Sequence, residues 1–159
     1  LKKLKTSLFT KPLAEYLKFY PVEATTFFFG RLSDERFVLT FRSIIASEYA
    51  SDIRAHISAN AADLFPACFS AEGDLGYHAA LVIKELIAVE PDWIVKCPPV
   101  LHQLIERWVS AIRRRRLSGE GEAHFQQLRE DAVVLDIFVA YLEQAEHVDL
   151  LFHIVDVYT

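Results

Sequence analysis

The 159-residue chain has no methionine, two cysteines and five glycines, and each shortage removes a class of protein. Cys68 and Cys97 are too few for a disulfide framework or a spaced metal-ligand set. They read as reduced core thiols of a cytosolic or nuclear protein. The glycines (Gly30, Gly73, Gly76, Gly119 and Gly121) fall where helices end or turn. None belongs to a phosphate-cradling G-x-x-x-x-G-K-[ST] loop or a G-x-S-x-G elbow, and no H-E-x-x-H pair occurs. Gly119-Glu120-Gly121-Glu122 is too acidic to hold a phosphate and reads as a turn. Long apolar runs are missing too: Ala132 to Leu142 is interrupted by Asp136 and falls short of the roughly 18 residues that a membrane span needs. Lys2, Lys3 and Lys5 are not followed by the apolar core and cleavage site of a secretory signal. Positive charge is in deficit, 17 Lys and Arg against 22 Asp and Glu for a formal net charge of −5, which does not fit a nucleic-acid binder. A chain that starts at Leu1 and lacks methionine is expected to be an excerpt of a longer protein.

What is present is apolar and helical. Hydrophobic residues make up 52% and aromatic residues 13%, enough apolar surface to exclude disorder. Pro12 reads as sitting just inside a helix start, where its missing donor does no harm, and Pro21 ends that helix and opens the next, which carries Phe27, Phe28 and Phe29. Ser33 and Ser51 read as N-caps. Phe37, Val38, Phe41, Ile44 and Ile45 share one face at helical spacing, and Ile53, Ile57, Leu64 and Phe65 continue a stripe until Pro66. Ala79, Val82, Ile83, Leu86 and Ile87 mark another face. After Pro91 and Pro98-Pro99, Leu101, Leu104, Ile105, Trp108 and Ile112 line one side of a helix. Gln103, Glu106, Arg107, Ser110 and Arg114 mostly line the other. Phe125, Leu128, Ala132, Leu135, Phe138 and Leu142 form the next stripe. The segment 148–158 is apolar nearly all round and calls for neighbours on several sides.

These segments pair as 12–20 with 21–31, 34–46 with 52–65, 75–89 with 99–117, and 122–144 with 147–158. The pairs approach the HEAT/armadillo period. The expected fold is all-α: residues 1–159 as one excerpt of an α-solenoid, about four antiparallel helix pairs. A solenoid is preferred to a closed bundle because the last helix wants a further neighbour.

Three features could carry chemistry. His147, Asp149, His153 and Asp156 resemble metal ligands, but no cysteine or further histidine completes a tetrahedral set, and a solvated Asp–His stripe is the preferred reading. Arg113, Arg114, Arg115 and Arg116 complement a helix dipole at its C-terminal end. They could instead meet an acidic protein partner or a phosphate backbone, although successive arginines point all round a helix and Glu120, Glu122 and Glu130 follow. Phe27-Phe28-Phe29 spreads over about 200° of a helix, which suits packing between two neighbours better than an exposed docking patch. No catalytic residue, metal site or cofactor is expected.

Several strings in the chain have a family texture. Arg107-Trp108-Val109-Ser110, Arg113 to Leu117, Gln126 to Asp131, Tyr141-Leu142-Glu143 and His147 to His153 resemble the TRRAP family (transformation/transcription domain-associated proteins), the fungal branch above all. Pro12 to Leu17, Tyr20-Pro21 and Phe28-Phe29 look like the preceding helices of the same region. The resemblance implies a central HEAT-repeat segment of a very large chain that ends in a kinase-like domain without catalytic residues. It also implies a nuclear scaffold in SAGA-type histone acetyltransferase coactivator complexes. Its partners would be their protein subunits and transcriptional activators, with no small-molecule substrate, membrane or direct nucleic-acid contact. A HEAT segment of an active kinase of the same superfamily, or of a nuclear transport receptor, is the alternative.

Overall fold

In the computed structural model the backbone is described for residues 2–118, 122–144, 152 and 156, and the side chains for all of these except 2–9, 115–118 and 122–127. The described residues form α-helices and no strand: α1 (Lys2–Leu17), α2 (Pro21–Phe29), α3 (Glu35–Ile45), α4 (Ser51–Ala59), α5 (Ala61–Ser70), α6 (Leu75–Val89), α7 (Trp93–Lys96), α8 (Pro98–Ser118) and α9 (Glu122–Gln144).

The local chemistry of the helix ends differs in places from expectation. The α3 N-cap is Asp34, not Ser33: its carboxylate accepts the Arg36 N–H at 3.0 Å, supplying one of the donors that a helix start leaves free. The Arg36 guanidinium, hydrogen-bonded to the same carboxylate, holds Asp34 below the usual carboxylate range. Ser51 is the first residue of α4, and Ala50 occupies the cap. Pro12 lies well inside α1, not at its start, because the lysine- and leucine-rich stretch before it is itself helical. The single helix expected over 52–65 is two. Asn60 breaks it by turning its side-chain amide back onto the His56 carbonyl at 2.9 Å, a local competitor for the backbone ladder. Helix α5 then carries on through Pro66 to Ser70. The short α7, absent from the sequence reading, places Trp93 and Ile94 in the core.

The helices stack in two layers. Helices α1, α3, α6 and α9 lie side by side in chain order. On the other side α2 packs on α4, and α5 packs on α8. Cross-helix bonds give the direction of the stack. Leu32 meets His78 and Arg42 meets Glu85, so α3 and α6 advance together. Tyr77 meets Arg129 and Lys84 meets Asp136, so α6 and α9 do the same. Parallel neighbours along the α3–α6–α9 layer, with connections crossing between layers, define an open stack. The fold is an all-α solenoid.

Between the layers runs one apolar core. Phe28 stacks on Phe41 (centroids 4.8 Å apart, planes 3° from parallel), Phe29 meets Phe41 and Phe65 edge-on, and Phe65 meets Trp93. Fully buried Ile44, Ile53, Ile83 and Leu104 fill between them, each contributing about 1.5–3 kcal/mol by leaving water. Gly73, at φ +76°, turns the chain from α5 into α6 in a conformation that disfavours any side chain.

Candidate interaction surfaces

Of the four-arginine run, Arg113 and Arg114 are exposed on the C-terminal half of α8. The Arg114 Nε donates to the Ser110 carbonyl at 3.4 Å. The side chains of Arg115 and Arg116 lie outside the described residues, as do His147, Asp149 and His153. Asp156 is exposed. Among the described residues no three His, Cys, Asp or Glu side chains come together in a metal-holding group.

Arg114 stands on the wall of a polar cleft of about 600 Å³ between the end of α5 and the outer side of α8. Ser70, Glu72, Gln103 and Glu106 also line it, and Gln103 Oε1 is buried there without a partner. Arg107 forms its base. The sequence placed Arg107 with the outward residues of α8, but the fold draws it in. Its Nη1 donates to the Phe69 and Ala71 carbonyls at 3.0 and 3.2 Å, and its Nε to Glu130 at 2.9 Å.

A second, apolar groove of about 640 Å³ opens where α1, α2 and α3 meet, lined by Leu13, Tyr16, Leu17, Tyr20, Phe27 and Phe37. The phenylalanine triplet therefore divides. Phe28 is 4% exposed, but Phe27 is 43% exposed, with the Arg31 guanidinium 3.8 Å above its ring. Tyr16, Phe19, Tyr20 and Val22 are exposed beside it. The spacing of Tyr16 and Tyr20, one helical turn apart, was the available sign of this surface.

A third surface corrects the reading of α9. Leu128, Leu135 and Leu142, expected to face the core, are exposed together with Val139. The inward face is Val133, Val134, Ile137 and Phe138. Both stripes are apolar. The choice between them follows from polar pairs on the inner side: Trp108 Nε1 donates to Asp131 at 2.7 Å, and Arg107 holds Glu130.

The two cysteines are buried and free. Burial pushes both thiols above their ordinary range, the opposite of what a nucleophile needs. No helix among the described residues is long and apolar enough to cross a membrane. The arrangement offers a polar cleft, an apolar groove and an exposed apolar helix face along a stack of helices.

Such a stack is a HEAT-type repeat segment. The model of the Tra1 HEAT repeat ring region matches residues 1–159, and the chain belongs to that family, the TRRAP kinship that its strings suggested. A curated relative, named "Probable transcription-associated protein 1" of Dictyostelium discoideum, is 27% identical over 158 residues. The match covers 97% of this chain and 3% of that protein, so the chain spans a small fraction of its relative's length. No solved structure matches the chain. The matched region is a non-catalytic repeat region of a transcription-associated family.

Proposed function

We propose that residues 1–159 are one excerpt, about four helix pairs long, of the HEAT array of a very large transcription coactivator subunit, and that they act as scaffold without catalysis. The observation that carries this reading is the match of the entire chain to the Tra1 HEAT repeat ring region. The two-layer stack supports it, because such stacks hold other chains along extended surfaces. In this reading the full protein works in the nucleus and links SAGA-type histone acetyltransferase subunits to transcriptional activators. Arg113 and Arg114, with Arg115 and Arg116, meet an acidic protein surface.

Purification of the full-length chain from its own cells tests the reading. Histone acetyltransferase subunits and activity are expected in the eluate. An eluate with protein kinase activity, or with a Ran-type GTPase, and without acetyltransferase would contradict it and favour an active kinase or a transport receptor. For the arginines, Arg113→Glu with Arg114→Glu in the full-length chain is expected to reduce one subunit or activator selectively in quantitative mass spectrometry. An unchanged partner list removes them from the interface.

A further inference from the structure

Two arginines, Arg54 buried and Arg107 partly so, make the same set of bonds at two different junctions of the stack. Arg54, on α4, donates from Nη1 to the carbonyls of Ile45 and Ser47 at 2.9 and 3.1 Å, and from Nε to Oε1 of Glu90 at 3.1 Å. Arg107, on α8, donates from Nη1 to the carbonyls of Phe69 and Ala71, and from Nε to Oε1 of Glu130. In both cases one nitrogen takes two carbonyls two residues apart where a helix runs out, α3 in the first case and α5 in the second. The other nitrogen holds a glutamate of a later helix in the opposite layer, at the C-cap of α6 or within α9. The arginine side chains are 10% and 15% exposed.

The Ile45 and Phe69 carbonyls belong to the set that a helix C-terminus leaves without an intrahelical partner, whereas the Ser47 carbonyl also accepts the Ala50 N–H at 3.3 Å. The glutamates keep the guanidinium charge from being buried alone, a state that is strongly unfavourable. Each arginine thus ties together three helices that meet at one junction. Lysine would keep only part of this, because its compact ammonium lacks the flat fork of donors that reaches carbonyls and carboxylate at once. The two sets are not copies in sequence: Arg54 and Glu90 are 36 residues apart, Arg107 and Glu130 are 23 apart. The common feature lies in the geometry alone.

We propose that Arg54 and Arg107 are junction clamps that fix the angle between successive helix pairs, so that the stack from α3 to α9 moves as one stiff unit of the array. Gly76 completes the second clamp. A methyl group at that position would overlap the Arg107 guanidinium. The helix α6 carries a glycine in its first turn, where glycine has no advantage for the helix itself, and the space it leaves is the space the clamp occupies. Gly76→Ala would therefore drive Arg107 off its carbonyls or its glutamate without touching either.

The test is peptide-resolved hydrogen exchange on the full-length chain in its native assembly. Arg107→Met and Gly76→Ala are each expected to speed exchange over residues 69–74 and the start of α6 by about tenfold, as loss of a hydrogen bond to a charged group implies. The double variant should be no faster than either single one, since both remove the same clamp. Arg54→Met should speed 45–50 and leave 69–74 unchanged. The proposal is overturned if Gly76→Ala is silent, if the two effects multiply in the double variant, or if any single variant accelerates every helix alike. Arg107→Lys keeps the charge and guards against misfolding; it should give the same local pattern at smaller amplitude, and wild-type exchange in that variant also overturns the clamp.

Discussion

At the residue scale, the chain treats its reactive groups as packing material. Cys97 lies against the Ser58 carbonyl and Cys68 against that of Leu64, and burial raises both thiols above their usual range. The thiolate is the reactive form, so at neutral pH both should resist iodoacetamide in the native protein and react after unfolding in urea. Peptide-resolved mass spectrometry would read this, and rapid native alkylation of Cys97 would contradict the burial. The sequence made both cysteines legible as core thiols because neither has a ligand or a partner at useful spacing. It did not make Arg107 legible. By helical position Arg107 belongs with Glu106 and Ser110, and only the fold brings the α5 carbonyls and Glu130 within its reach.

At the element scale, helix faces were readable wherever one stripe alone is apolar. The stripes of α3, α6 and α8 face the core as their periodicity required. Periodicity failed where a helix has two apolar stripes: α9 buries Val134 and Ile137 and leaves Leu128 and Leu135 outside. It failed again at α7, whose four residues are too few to show a period. That small helix is held through Trp93, which is fully buried and donates from Nε1 to the Ser58 hydroxyl at 2.7 Å. Ser58→Ala would leave a buried indole N–H without its partner, at a cost of about 1–3 kcal/mol. The expected readout is faster exchange over residues 93–96 in the full-length chain, with α3 unaffected. Unchanged exchange at α7 would show that the bond does not hold it in place.

At the scale of the whole molecule, the open stack follows from the order in which the helices meet. Helix α6 lies between α3 and α9, and α3 between α1 and α6, so each pair adds to the end of the last. The apolar groove at α1–α2–α3 and the outer leucines of α9 lie on opposite end units of this stack. The all-helical class was legible in the sequence from its helical stripes, although α8 packs on α5 and α9 and not on α6 as the pairing of 75–89 with 99–117 had it. The layering was not, because it depends on which neighbours each face chooses. The most direct test of the account is a cryo-electron microscopy map of the full-length chain in its native assembly, at side-chain resolution. The account predicts α1, α3, α6 and α9 consecutive in one layer, α2, α4, α5 and α8 in the other, and at least one further protein subunit resting on this stretch or on the array it continues. A closed bundle in which α9 folds back onto α1, or an array that touches no other subunit, would contradict it.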